Sequence, residues 1–137
     1  LPHDVSEQVT FSAEQPLARL AETYAAADIC VVPSLFESFG YICAEAMACG
    51  KPVVASSIPP NRELVQHGQT GWLVDVGDGV GFAQFTLKLW REPAAAEVIG
   101  RQAAQRMQNE FSIAAMCNRY ATAFRAIVTA TSAKSVH

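Results

Sequence analysis

The sequence has few of the features that mark membrane, nucleic-acid-binding or metal-binding proteins. None of its apolar runs approaches the roughly 18 residues that span a membrane, and no secretory signal pattern opens the chain. The ten Lys and Arg residues are scattered singly and the formal net charge is −3, so the basic face of a nucleic-acid-binding protein is missing. These absences predict a cytoplasmic protein without a transmembrane segment or a nucleic-acid partner.

The four cysteines lack the C-x-x-C spacing of zinc sites, and they fall within apolar segments. Neither a metal site nor a disulfide framework is therefore indicated. Because free cysteine is often buried, we expect all four to be reduced and to pack as small hydrophobic residues. They are Cys30, Cys43, Cys49 and Cys117.

Half of the 137 residues are hydrophobic, which suffices for one domain with a core. Short apolar runs alternate with segments of helical periodicity, a pattern typical of an α/β fold with a parallel sheet flanked by helices. We predict a lead-in over 1–8, a domain over 9–128 and a flexible, disordered tail over 129–137. The predicted strands are 9–11, 29–32, 52–55 and 72–74, and the predicted helices are 15–27, 39–49, 58–65, one that follows an N-cap at Asp78, 93–109 and one that follows a cap at Ser112.

The predicted sheet is short of strands. A doubly wound nucleotide-binding domain usually has five or six strands, whereas only four are visible here. We therefore expect a partial Rossmann-like domain whose first strands precede residue 1, and the start at Leu1 rather than Met suggests a fragment.

Apolar spacing also predicts which helix faces are buried. In the helix over 93–109, the expected inward positions are Val98, Ala104 and Met107. The last helix carries an amphipathic stripe at helical spacing. Its members are Ile113, Met116, Tyr120, Phe124 and Ile127.

The chain is organised around the segment from Asp28 to Ser57, which reads as strand, loop, helix and strand. In such units the helix N-terminus points at the carboxyl edge of the sheet. Its free backbone N–H groups and the positive end of its dipole favour an anion there. The segment therefore predicts an anion site at the start of the helix.

Two carboxylates flank this predicted site. Glu37 precedes the helix, and Glu45 lies about 6 to 9 Å along it, since a helix rises about 1.5 Å per residue. A diphosphate on the N–H groups near Gly40, Tyr41 and Ile42 would leave its ribose beside Glu45, whose carboxylate can accept hydrogen bonds from both ribose hydroxyls. A nucleotide diphosphate carrying a hydroxyl-rich group fits this spacing.

The same spacing also allows an explanation without a ligand. An acidic residue in the first turn of a helix stabilises the helix dipole by itself, and short motifs often match by chance. From spacing alone, both explanations stay open.

Other polar residues have ordinary structural explanations. Lys51 is expected to be a solvated residue before a strand rather than a phosphate contact. His67 is expected to face solvent in a Gly-bounded turn rather than to act as a base. Asp75 and Asp78 are explained by turn formation and helix capping.

The residues also carry a family resemblance. The segment PSLFESFGYICAEAMACGKPVVAS, followed by IPPNRELVQHGQTGWLV, resembles the C-terminal donor-binding domain of the GT-B glycosyltransferases of family four. The family's Glu, seven residues, Glu motif is matched by Glu37 and Glu45, and its Phe-Gly pair by Phe39 and Gly40. The similarity extends from about Val9 through the C-terminal helices, so it is far more specific than the two glutamates alone.

The resemblance implies roles for these positions. Glu37 is the candidate catalytic residue and contacts hydroxyls of the donor sugar, while Glu45 binds the ribose. The backbone of Phe39 and Gly40 touches the sugar. The N–H groups of Tyr41 and Ile42 hold the diphosphate.

The resemblance also implies an activity. Family members transfer a hexosyl group from a UDP-, GDP- or ADP-sugar to an acceptor hydroxyl, usually with retention of configuration and without a catalytic metal or other cofactor. The expected partners are the donor and an acceptor-binding N-terminal domain in the same or another chain. That N-terminal domain would supply any peripheral contact with the inner membrane face.

This chain departs from the family pattern in three respects. It lacks the Arg and Lys pair that neutralises the diphosphate, it lacks the acceptor-binding domain, and Ser57-Ile58 stands where many members have a Gly-rich turn. We therefore expect the isolated chain to be inactive in transfer and to self-associate through exposed apolar surface. The alternative is a non-catalytic module that binds a nucleotide diphosphate or pairs with a separate acceptor-binding chain.

Overall fold

The structure is a computed structural model that describes residues 8–13 and 15–134. Helices and short strands alternate along the first half of this part, and helices make up the second half. In chain order the elements are α1 (Leu17–Ala26), β1 (Cys30–Val32), α2 (Tyr41–Ala48), β2 (Val53–Ser56), α3 (Pro59–Leu64), β3 (Trp72–Val74), α4 (Gly79–Arg91), α5 (Pro93–Arg106), a π-helical turn (Met107–Phe111) and α6 (Ile113–Lys134).

The three strands form one parallel sheet in the order β1-β2-β3. Cys30 is in register with Val53, and Val54 with Trp72. Every residue of the central strand β2 is buried, as expected for an apolar strand covered on both faces. The predicted α/β class with a parallel sheet flanked by helices is thus confirmed.

The prediction of a strand at 9–11 is wrong. These residues have no regular secondary structure, and the Phe11 side chain is 93% exposed. A strand needs a neighbour for its backbone hydrogen bonds. In residues 8–13 and 15–134, no strand pairs with this segment or with the outer edge of β1.

Two apolar clusters lie on the two sides of the sheet. One packs α1, α2 and α3 and the end of α5 against β1 and alternate residues of β2, with Met47 and Leu64 almost fully buried. The other packs Val54 with β3, α4 and the start of α5. The successive β2 residues Val53 and Val54 belong to different clusters, because side chains alternate between the faces of a strand.

The buried face of α5 differs from the prediction by about one residue. Ile99, Ala103 and Met107 are buried, whereas Val98 is 43% exposed and Ala104 only partly covered, so Met107 alone was predicted correctly. The rotation of α5 follows from Gly100, where an added Cβ would overlap the backbone carbonyl of Gly50. A contact this close fixes which face of the helix meets the sheet.

The final helix begins where predicted but continues further. The Ser112 hydroxyl accepts from the Ala115 N–H (3.2 Å), which confirms the cap. The helix runs to Lys134, so the first part of the tail predicted over 129–137 is helical rather than disordered. In this part of the helix, the Thr129 hydroxyl donates a hydrogen bond to the Arg125 carbonyl one turn earlier (2.9 Å). Residues 135–137, like most of the predicted lead-in over 1–8, lie outside the described residues.

The predicted apolar stripe of α6 is present but uncovered. Its five side chains are between 49% and 78% exposed, so they add apolar surface rather than core. Within the described part of the chain, no helix combines the length and the apolar character that crossing a membrane requires.

The cysteines divide into two groups. Cys43 is fully buried and Cys30 half-buried, as predicted, whereas Cys49 and Cys117 are exposed, so the expectation that all four pack as hydrophobic residues is wrong for these two. All four are free thiols. Burial raises the pKa of the Cys43 thiol to about 12, and the nearby Cys30 and Glu37 add to the rise.

We expect Gly100→Ala to lower the free energy of unfolding by about 1 to 3 kcal/mol, because the new methyl group meets backbone that cannot easily move. The control is Gly79→Ala at the start of α4, where an added Cβ has nothing within 4 Å. Urea titration of both variants measures the difference. Wild-type stability of Gly100→Ala would contradict the close approach of α5 to Gly50.

We also expect Cys43 to resist alkylation in the folded protein at pH 8, where Cys49 and Cys117 are accessible. Since the pKa of Cys43 in the folded protein lies above the ordinary thiol value of 9.0, its contribution to stability is complete below pH 9.0 and is lost as the pH rises towards about 12. Mass spectrometry after iodoacetamide treatment, with and without urea, measures labelling of each thiol. Equal labelling of Cys43 and Cys49 without urea would refute the assigned burial.

Candidate functional site

The candidate site lies where the loop after β1 enters α2. The helix starts at Tyr41, two residues later than predicted, and Gly40 is its N-cap. Gly40 has φ 86° and ψ 47°, a left-handed conformation that residues with a Cβ rarely adopt. The loop therefore turns into the helix at a position that requires glycine.

Gly40 also packs tightly against α3. An added Cβ would come within 2.8 Å of Asn61 Oδ1 and 3.2 Å of Leu64 Cδ1. The space beside the Gly40 Cα is therefore filled by α3.

No side chain of the described residues caps the N-terminus of α2. The first helical hydrogen bond runs from the Ala44 N–H to the Gly40 carbonyl (3.0 Å). The N–H groups of Tyr41, Ile42 and Cys43 precede that bond and have no partner within the helix. No acidic residue lies in the first turn, so dipole stabilisation by such a residue does not explain the glutamates.

Glu37 is held in the loop before the helix. Its Oε1 accepts a hydrogen bond from the Ser34 hydroxyl (2.9 Å), and its side chain is half-buried. Its charge is close enough to Cys43 to contribute to the raised pKa of that thiol. Glu37 therefore lies beside the first turn of α2, on the side where the loop enters.

Glu45 lies in the second turn of α2 and is also half-buried. Its Oε2 accepts a hydrogen bond from the Tyr24 hydroxyl of α1 (3.1 Å). Burial of Tyr24, and then the hydrogen bond and negative charge of Glu45, raise the pKa of the Tyr24 hydroxyl. The two predicted carboxylates thus belong to one loop and helix unit, and a different neighbour holds each of them.

Aromatic rings cover the surface around the helix start. The Phe39 and Tyr41 rings lie 4.9 Å apart, tilted by 47°. Phe39 and Phe111 line two cavities, one of about 260 Å³ beside α3 and one of about 470 Å³ beside Glu45. Apolar walls together with the Glu45 carboxylate suit a ligand with both polar and apolar parts.

Asn61 is a residue that sequence reasoning missed. It is fully buried in α3, and its Nδ2 donates to the Ser56 carbonyl at the end of β2 (3.0 Å). Its Oδ1 has no hydrogen-bond donor among the described residues and faces Gly40. The sequence predicted only that Asn61 lies in the helix over 58–65, and no sequence signal marked its burial.

Arg106 is a second missed residue, at the end of α5. Its Nε and Nη2 groups donate to the carbonyls of Leu64 and Glu63 (both 2.8 Å), and Nη1 donates to Glu110 Oε1 (2.7 Å). The guanidinium thereby satisfies free carbonyls at the end of α3. The spacing of Arg106 and Glu110 indicates an ion pair, but the contacts with α3 depend on the fold.

The remaining candidates have structural roles. Lys51 Nζ donates to the Ala25 carbonyl (2.7 Å). Lys51 precedes β2, so it lies at the opposite end of that strand from the carboxyl edge where the site is. His67 Nδ1 accepts from the Leu73 N–H (3.1 Å), so this ring fixes a turn. Asp78 Oδ1 accepts from the Gly81 N–H (2.9 Å), which confirms the predicted N-cap.

Comparison with known proteins shows the family. The family model "Glycosyl transferases group 1" matches residues 2–106. D-inositol 3-phosphate glycosyltransferase of Thermomonospora curvata is 42% identical over 93 residues, which cover 68% of this chain and 22% of that protein.

Solved structures are similar over most of the chain. Sucrose-phosphate synthase from Thermosynechococcus elongatus superposes with a TM-score of 0.82 at 34% identity, over 93% of this chain and 32% of that one. HepE of Anabaena in complex with UDP-glucose gives a TM-score of 0.69 at 28% identity, over 77% of this chain and 29% of that one. The chain thus spans less than a third of the length of each of these relatives.

We expect Gly40→Ala to destabilise the protein more than Gly77→Ala. Both glycines have nearly the same positive φ, 86° and 85°, so both variants incur a similar left-handed penalty of about 1 to 2 kcal/mol. Only at Gly40 would the new methyl group meet α3, while at Gly77 nothing lies within 4 Å. Thermal unfolding should show an additional loss of about 1 to 3 kcal/mol for Gly40→Ala. Equal losses in the two variants would mean that α3 does not constrain the start of α2.

Proposed function

The chain belongs to the glycosyl transferases group 1 family, and on that basis we propose that it forms the donor-binding part of a retaining hexosyltransferase. In this proposal the parent enzyme moves a hexosyl group from a nucleotide diphosphate sugar to an acceptor hydroxyl. The observation that carries the proposal is the N-terminus of α2, which the chain enters through left-handed Gly40, which no described side chain caps, and which Glu37 and Glu45 flank.

The donor diphosphate is proposed to bind at the start of α2. The N–H groups of Tyr41 and Ile42 have no partner within the helix and can donate to phosphate oxygens. The positive end of the helix dipole favours the same anion. The similarity to a protein solved with UDP-glucose supports a nucleotide-sugar donor.

The two carboxylates are proposed to bind the two ends of the donor. Glu45, in the second turn, accepts hydrogen bonds from the ribose hydroxyls. Glu37, on the loop side, contacts the sugar hydroxyls together with the backbone of Phe39 and Gly40. This assignment follows the order of the residues along the unit, since Glu37 precedes the phosphate-binding N–H groups and Glu45 follows them.

The chemical contribution of this part is stabilisation of the leaving group. As the glycosidic bond to the diphosphate breaks, negative charge grows on the phosphate oxygens, and fixed N–H dipoles favour that charge more than the neutral bond. In this proposal the donor is a substrate, and no resident cofactor or metal is assigned to the site.

Transfer requires more than these residues. Because the chain spans only 22% to 32% of the compared relatives, we propose that the acceptor site belongs to an additional domain in the same or another chain. The isolated 137 residues would then bind donor without transferring the sugar.

Calorimetric titration tests donor binding. We expect UDP, GDP or ADP to bind the folded chain, and Glu45→Gln to weaken that binding by about 1 to 3 kcal/mol through loss of a charge-assisted hydrogen-bond acceptor. Glu22→Gln is the control, since it removes the same charge from the exposed surface of α1. Absence of heat with all three nucleotides at millimolar concentration would refute donor binding, and equal affinity of the Glu45 and Glu22 variants would remove the ribose role.

A further inference from the structure

Tyr24 joins the core to the candidate ribose-binding carboxylate. Its ring belongs to the apolar cluster on the α1 side of the sheet and is 9% exposed. The hydroxyl leaves that cluster and donates to Glu45 Oε2 (3.1 Å). Tyr24 was not among the site residues predicted from the sequence, so its polar contact with Glu45 comes from the fold.

The hydrogen bond from Tyr24 leaves part of the acceptor capacity of the Glu45 carboxylate unused. An ionised carboxylate has two oxygens with about four acceptor positions, and Tyr24 uses one of them. In the described part of the chain, no side chain or backbone group donates to Glu45 Oε1. Glu45 also lines the cavity of about 470 Å³ that Phe39 and Phe111 border, so free acceptor capacity lies beside space for a ligand.

The Tyr24 hydroxyl keeps its proton and so remains a hydrogen-bond donor. Its burial and the adjacent Glu45 raise the pKa of its hydroxyl, so the proton stays on Tyr24 at neutral pH. A glutamate has several rotatable bonds, and a ligand that must order them loses affinity. Because the Tyr24 ring is fixed in the core, its hydroxyl orders the Glu45 side chain before a ligand binds and so reduces this loss of affinity.

We propose that Tyr24 is a positioning residue that holds Glu45 Oε2 and thereby presents the carboxylate to both hydroxyls of the donor ribose. This inference rests on the proposed function, because it assumes that Glu45 meets a ribose. A purely structural contact would also satisfy the buried hydroxyl, but it would not change how the protein distinguishes ribose from deoxyribose.

The test compares Tyr24→Phe with wild type, using UDP, GDP and ADP and their 2′-deoxy forms in calorimetric titrations. Phenylalanine keeps the buried ring and removes only the donor. We expect Tyr24→Phe to weaken ribonucleotide binding by about threefold to tenfold, the range for one lost hydrogen bond, and to change 2′-deoxynucleotide binding less. The ratio of ribonucleotide affinity to 2′-deoxynucleotide affinity should therefore fall.

The matched control is Tyr120→Phe on α6, where the ring is exposed and stacks on Phe124. It should leave both affinities and their ratio unchanged. The double variant Tyr24→Phe with Glu45→Gln should show a ratio no lower than Glu45→Gln alone, since both changes act on the same contact.

The outcomes separate this inference from the proposed function. If wild type binds nucleotide and Tyr24→Phe keeps the wild-type ratio, the positioning role is wrong while donor binding stands. If no nucleotide binds the wild-type chain, both proposals are overturned.

A second measurement does not depend on the stability of Tyr24→Phe. 3-Fluorotyrosine at position 24 retains the hydroxyl, and its fluorine resonance should move when the ribonucleotide binds and move less with the 2′-deoxy form. A resonance that responds equally to both forms would also overturn the positioning role.

Discussion

The close contact between Gly40 and α3 is the constraint on which the candidate site depends. Gly40 can adopt its left-handed conformation because it has no Cβ, and the space that a Cβ would fill is occupied by Asn61 and Leu64. Asn61 is bound in turn to the Ser56 carbonyl at the end of β2. The start of α2 is therefore positioned relative to the carboxyl edge of the sheet by packing and by one buried hydrogen bond.

The position of the start of α2 determines the electrostatic character of the site. In the part of the chain that the structure describes, no side chain caps the first-turn N–H groups of α2, and the acidic residues lie on either side of the first turn rather than within it. Had a carboxylate capped the helix, it would have occupied the anion position itself. Ser34 and Tyr24 hold Glu37 and Glu45 at the two sides, so the unit presents an electropositive centre between two acceptors.

The sequence was informative where local patterns are strong. The apolar β-branched strands, the cap at Asp78 and the helix starting after Ser112 were all predicted, since each depends on a few adjacent residues. The prediction of a strand at 9–11 was wrong because a strand exists only with a partner, which the three residues from Val9 to Phe11 do not reveal. The buried face of α5 was misplaced because Gly50, fifty residues earlier, determines its rotation. The exposure of Cys49 and Cys117 has the same origin, since apolar neighbours in sequence do not show which face a neighbouring element covers.

By itself, the sequence determined the fold class, the strand, loop and helix unit from Asp28 to Ser57, and the family, through motifs whose residues are close together along the chain. Only the tertiary structure decided that α3 fills the space beside Gly40, that Asn61 and Arg106 support the site, and that Tyr24 reaches Glu45. The physical reason is distance along the chain. Hydrogen bonds and steric contacts between residues some 20 to 40 positions apart leave no periodic pattern in the sequence, and they form only when helices pack on a common sheet.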